Sequence, residues 1–173
     1  MPDLLCSLVR VSPLEPILES VREHGITIRR LNPWEKEKLQ AFIEKHFWPE
    51  WGYEASTALT HQPVTCFVAV KEKEILGFAC YECTRKNYFG PMGVDESLRG
   101  KGVGGALFLT ALYGLISLGY SYCIIGGAGP VGFYQRYADV LEIPFEKGRG
   151  IYDLVEDPSF GLRRDDKPGD ASK

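Results

Sequence analysis

Between Gly102 and Gln135 the chain carries no charged residue, and no other feature restricts its folding as much. Such a stretch belongs in lipid or in a protein core, because each large apolar side chain gains roughly 1.5 to 3 kcal/mol from burial. Lipid fits poorly. The helix-like part, 103–118, spans about 24 Å at 1.5 Å per residue, short of the roughly 30 Å hydrocarbon layer. Gly119 then stops it, residues 120–125 have strand composition, and Gly126, Gly127, Gly129 and Pro130 break the run again. The expectation is a buried helix and strand in an α/β core, with no membrane partner.

The rest of the chain supports one such core. At 173 residues it has the length of a single domain, and 45% hydrophobic with 25% charged residues is the composition of a globular protein. Lys and Arg number 20 against 23 Asp and Glu, so no basic excess exists to neutralise a phosphate backbone, and nucleic acid is not an expected partner. The five cysteines are odd in number and scattered, which excludes a secreted disulfide framework and points to a reducing cytoplasm. Cys80 and Cys83 are the one close pair, but they sit in and just beyond a strand-like run, where an offset of three sends side chains to opposite faces. His24, His46 and His61 are isolated, so no metal site is expected.

Residues 14–24 place Ile17, Leu18 and Val21 on one helical face and end at Gly25. A first strand is read over 26–30, then a helix that starts at Asn32-Pro33 and repeats Leu39, Phe42, Ile43 and Phe47. A second short helix covers 54–60. Two strands, 64–71 and 75–81, form a hairpin around Glu72-Lys73-Glu74. Another runs over 88–94, interrupted by Gly90-Pro91; proline cannot donate to a ladder, so there the strand bulges or splays from a neighbour. A short helix over 131–137 and a last strand near 151–155 complete the order. The divisions are an N-terminal extension with a short helix, 1–25, a main domain, 26–155, and a disordered tail, 156–173.

Gly100-Lys101-Gly102-Val103-Gly104-Gly105 satisfies the bare G-x-G-x-x-G pattern. Its context is not that of a dinucleotide fold: five residues separate Val94 from Gly100, and the next strand ends in Ile125-Gly126-Gly127 without an acidic residue. No P-loop is present either, since Gly102 follows Lys101. What remains is an anion site, with small residues that let backbone N–H groups converge at the positive end of a helix, flanked by Arg99 and Lys101. Tight helix-on-sheet packing is the plainer use of the same glycines.

On these residues the chain resembles the GNAT superfamily of acyl-CoA-dependent N-acyltransferases. Arg99-Gly100-Lys101-Gly102-Val103-Gly104 fits its pyrophosphate motif, Gly93 to Leu98 fits the strand end and link before it, and Phe133-Tyr134 up to Tyr137 is similar to its second motif. The resemblance covers roughly residues 26–155. It implies a mixed, twisted central sheet with a splayed strand pair flanked by helices, here with an extra N-terminal helix. It also implies acetyl-CoA as acyl donor, bound by Met92, Gly93 and Val94 along the pantetheine arm and by Arg99, Gly100, Lys101, Gly102, Val103 and Gly104 at the diphosphate. Phe133 and Gly127 join that set; Gly127 stands where relatives carry an Asn. Tyr134 matches the Tyr that protonates the departing thiolate.

The implied reaction is acetyl transfer to the primary amine of a small-molecule acceptor by direct attack in a ternary complex. A non-catalytic acyl-CoA-binding module is the alternative from another class, and a protein N-terminal or lysine acetyltransferase the alternative acceptor. Relatives often carry a carboxylate base where Tyr88 stands here, so the base is unassigned; Glu82 is the leading candidate, with Glu50 and Glu54 behind it. The aromatic link Phe47, Trp48, Trp51 and Tyr53 is expected near the acceptor. A homodimer is left open.

Overall fold

The structure, a computed structural model, describes residues 1–144. Its elements are β1 (Leu4–Val11), α1 (Glu15–Glu23), β2 (Thr27–Arg30), α2 (Lys36–His46), α3 (Pro49–Thr57), β3 (Cys66–Lys71), β4 (Glu74–Tyr81), β5 (Tyr88–Val94), α4 (Val103–Ser117), β6 (Tyr122–Ile125), α5 (Val131–Tyr134) and β7 (Ala138–Glu142). The strands form one sheet in the order β2-β3-β4-β5-β6-β1-β7. All neighbours are antiparallel except β5 and β6. The expected strand near 151–155 and the tail 156–173 lie outside the described residues.

Period-two alternation sorts the central strands onto two cores. From β3 and β4, Phe67, Ala69, Ala79 and Tyr81 face α4 and α1, whereas Cys66, Val68, Phe78 and Cys80 face α2 and α3. The uncharged run supplies the first core. Ala106, Leu107, Phe108, Ala111, Leu112 and Leu115 of α4 are fully buried, as a helix apolar on every side must be. Gly114 lets α4 lie close on the sheet, because a Cβ there would meet the Tyr81 ring. No helix of the described residues is long and apolar enough to cross a membrane.

The N-terminal segment is not an appendage carrying only a helix. Leu4, Cys6 and Leu8 alternate into the core, and β1 lies between β6 and β7, with Cys6 opposite Cys123 on one side and Val140 on the other. The sheet therefore includes the segment that the sequence reading set apart as 1–25. The expected helix of that segment is α1, which packs Ile17 and Val21 toward Gly102. Strand β7, at the edge of the sheet among the described residues, follows directly after α5 and was not expected.

Cys80 and Cys83 also differ from the expectation of opposite faces. The strand ends at Tyr81, and Glu82 adopts a left-handed backbone with φ of 61°. That turn brings the Cys83 thiol to 3.4 Å from the Tyr81 carbonyl, to which it donates, and to 3.7 Å from the Thr65 hydroxyl. Cys66 stands opposite Cys80 across β3 and β4. All five cysteines are free thiols.

Candidate active site

The site begins where β5 and β6 part. They pair only at Tyr88 with Ile124 and Phe89 with Ile125, and the ladder stops where Gly90-Pro91 begins. The proline has no N–H to continue it. On its other edge β5 stays paired to β4 through Met92, Gly93 and Val94. The edge of Met92 to Val94 that faces β6 consequently has no strand against it among the described residues.

Behind the parted strands opens a cleft of about 420 Å³. Phe89, Pro91 and Met92 of β5 line it from one strand, Ile125 and the glycines that follow β6 from the other, and Tyr134 lines it as well. Trp48 and Trp51, from the link into α3 and from α3 itself, form the rim. No side chain lining it among the described residues is charged. Phe47 stacks on Trp51 with ring centroids 5.5 Å apart and rests on the backbone of β5, since a Cβ at Gly93 would collide with its ring. Tyr53 instead faces the outer groove between α2 and α3.

The glycine loop lies at the adjoining end of β5. Asp95 accepts from the Ser97 amide at 2.9 Å and starts a short helical turn, 96–98, that leads the chain to α4. Gly100 and Gly102 then hold φ of 80° and 77°. Gly102 is the N-cap of α4, whose leading amides have no intrahelical acceptor. Val94 and Phe133 both lie against Gly104, with Phe133 carbons 3.5 Å from where its Cβ would stand. Phe133 and Tyr134 thus bridge the loop to the cleft.

The cradle is narrower than the sequence implied. The amides of Arg99 and Lys101 already donate to the carbonyls of Glu96 and Leu98, which leaves those of Gly100, Gly102, Val103 and Gly104 as candidate donors. The Arg99 guanidinium is exposed and paired with Glu96, and Lys101 faces a shallow groove beside His24. These two side chains supply charge around the loop and not its floor.

Tyr134 is 8% exposed, and burial pushes its phenol above the usual range against an opposing hydrogen bond from the Gly129 backbone. It is therefore protonated at neutral pH. Tyr88 is likewise raised by burial, with Asp3 adding to the shift, and cannot serve as a base at neutral pH.

The structure does not bring Glu82 to the cleft. One carboxylate oxygen accepts from Lys86 at 2.7 Å and the other from the Asn87 amide at 2.6 Å, bracing the turn between β4 and β5. Burial works to raise this carboxyl, but the bonds from Asn87 and Lys86 outweigh it and hold it below the ordinary value. Glu54 is engaged by the Thr84 hydroxyl at 2.9 Å, and neither it nor Glu50 lines the cleft.

One residue of the site had no signal in the reading of the sequence. Asp3 is 1% exposed and accepts from the Gly127 amide at 2.7 Å, while Ala128 donates to the Pro2 carbonyl at 2.8 Å. The start of β1 thereby fixes the glycine wall of the cleft, where Gly127 itself has a left-handed φ of 55°. No group of three or more potential metal ligands occurs among the described residues.

Residues 62–137 match the family model of the acetyltransferase (GNAT) domain. No curated protein matches the sequence. Among solved structures, a glucosamine N-acetyltransferase region of a fungal multi-domain β-N-acetylglucosaminidase is similar at 17% identity and a TM-score of 0.67, covering 82% of this chain and 19% of that one. This chain therefore spans about a fifth of the length of the fungal protein. A GNAT family acetyltransferase from Brucella melitensis, in complex with acetyl-CoA, is similar at 20% identity and a TM-score of 0.50, covering 73% of this chain and 94% of the other. The polyamine N-acetyltransferase of Drosophila melanogaster has the same identity and TM-score over 64% of this chain and 81% of its own. At these identities the structural likeness concerns the fold, and it bears out the mixed sheet with a splayed pair that the motifs implied.

Proposed function

We propose that this chain, whose residues 62–137 match the GNAT acetyltransferase family model, moves an acetyl group from acetyl-CoA to the primary amine of a small molecule. The observation that carries the reading is the parting of β5 from β6 beside a left-handed glycine loop at the head of α4. The amides of Gly102, Val103 and Gly104 suit a diphosphate at the positive end of a helix. The free edge of Met92, Gly93 and Val94 suits an amide-bearing arm that pairs as an extra strand, and the Gly127 wall and Phe133 flank it. The Brucella structure holding acetyl-CoA supports the donor assignment.

In this reading the cleft holds amine and thioester in line, which is a major part of the acceleration, and β5 amides near Val94 polarise the thioester carbonyl. The amine lone pair forms the new N–C bond as the C–S bond breaks. Tyr134 gives its proton to the departing sulfur, the amine passes one proton to water, and the phenol is restored from solvent. CoA leaves as its thiol. With no carboxylate among the described residues that line the cleft, the amine arrives neutral in this reading, so the rate follows the acceptor's own deprotonation. The free thiols fit a reducing cytoplasm.

Thiol release from acetyl-CoA in the presence of an amine panel tests the proposal. Acetyl-CoA should also raise the melting temperature, and NAD(H) should not. That no carboxylate lines the cleft among the described residues favours one second reading, a module that binds acyl-CoA without turnover. Stabilisation by acetyl-CoA with no thiol release on any amine would select it.

A further inference from the structure

We infer that Asp3 is a positioning residue for Tyr134: through residues 127–129 it holds the Gly129 amide against the phenol oxygen. The inference rests on the proposed transferase reading, in which Tyr134 protonates the departing sulfur, and adds the device that strengthens this phenol as an acid. Its ground is a continuous set of contacts. The Asp3 carboxylate, 1% exposed, accepts from the Gly127 amide at 2.7 Å, and the Pro2 carbonyl accepts from the Ala128 amide at 2.8 Å. Two successive amides are thereby tied to the start of β1. The next one, that of Gly129, donates to the Tyr134 oxygen, and Gly127, Gly129 and Tyr134 line the same cleft.

Packing does not hold Gly129 in place. A Cβ built there would meet no atom within 4 Å among the described residues, so its position follows from the two bonds before it. The Tyr134 ring is fixed independently, by edge contacts with Phe108 and Phe133 at centroid distances of 5.2 and 5.0 Å. An N–H aimed at the phenol oxygen favours the phenolate that remains once the proton has gone to sulfur. Without it, a buried anion would be left with no partner. The charge of Asp3 is felt at Tyr88, whose phenol it helps to raise. Its route to Tyr134 is the backbone, so an uncharged acceptor in its place should serve.

The first test needs no turnover. With meta-fluorotyrosine incorporated, fluorine NMR follows the titration of Tyr134, whose resonance is assigned by its loss in Tyr134→Phe. Gly129→Pro removes the donor at a residue whose φ is not left-handed and whose side chain would meet open space, whereas Gly129→Ala keeps the amide. Gly129→Pro and Asp3→Ala should both raise the Tyr134 midpoint. Gly129→Ala should keep the native midpoint, and Asp3→Asn, whose amide oxygen accepts the same N–H, should restore it. Should Asp3→Ala fail to fold, Gly129→Pro and Asp3→Asn carry the test. The second readout is thiol release from acetyl-CoA with the fastest of phenethylamine, agmatine, spermidine and glucosamine. There kcat should fall about tenfold in Gly129→Pro and Asp3→Ala, the worth of one hydrogen bond to a charged group, with the KM for acetyl-CoA unchanged and no further fall on a Tyr134→Phe background. An unmoved midpoint in Gly129→Pro, or an equal loss of kcat on the Tyr134→Phe background, overturns the inference and leaves the transferase reading in place. Thiol release with none of these amines counts against the transferase reading, and the fluorine titration then still decides the coupling of Asp3 to Tyr134.

Discussion

Gly102 holds φ of 77° at the point where the loop becomes a helix, a conformation that costs an L-residue roughly 1 to 2 kcal/mol. Gly102→Asp adds that strain and a negative charge where a diphosphate is to bind. The expected outcome is loss of the melting shift given by acetyl-CoA, measured by thermal denaturation. Tyr134→Phe keeps the ring packed on Phe108 and removes only the proton donor, so kcat should fall by about 10²-fold or more, with the affinity for acetyl-CoA in calorimetry unchanged. Both residues are candidates from the sequence because they stand in motifs whose spacing is local. Asp3 was not, since its partner Gly127 lies at the far end of the described chain and nothing in a lone acid near Pro2 announces the pairing. Asp3→Ala removes the Gly127 amide's acceptor in a buried place and should cost about 1 to 3 kcal/mol in urea unfolding. Glu82 is held by partners close by in the chain, Lys86 and the Asn87 amide, in the turn and not at the cleft lining.

At the scale of elements, local chemistry reads well and long-range pairing reads poorly. The helix start at Asn32-Pro33 is present, with the Glu35 carboxylate accepting from the Asn32 amide at 3.0 Å and from Arg29 of β2 at 2.7 and 2.8 Å. The arginine bond leads the causes that lower the Glu35 carboxyl from 4.5 to about 2. Because the folded value is depressed, the stabilisation is complete above the unfolded value and is lost as pH falls from about 4.5 toward 2. Glu35→Gln should flatten the acid limb of stability against pH in that window. It should cost about 1 to 2 kcal/mol at neutral pH, less than the full shift because water reaches Arg29. Pro91 likewise foretold the splay, since a missing N–H is a local fact with one consequence for a ladder. β1 was overlooked although Leu4, Cys6 and Leu8 alternate, because the segment looked detached from a core whose helices come later. The Cys80 and Cys83 reading failed where the strand did, at the left-handed Glu82.

The whole molecule is a two-faced sheet whose middle depends on its first strand. β1 separates β6 from β7 and anchors the glycine wall through Asp3, so removing residues 1–11 should leave both partners with open edges. The expected result is loss of a cooperative urea transition together with the acetyl-CoA melting shift; an intact transition would show that the sheet closes without β1. Order of synthesis sharpens the point. A ribosome releases β1 well before β6 and β7, so the earliest strand must wait, unmatched, for the latest ones. That delay favours slow folding and leaves nascent chains prone to stick together.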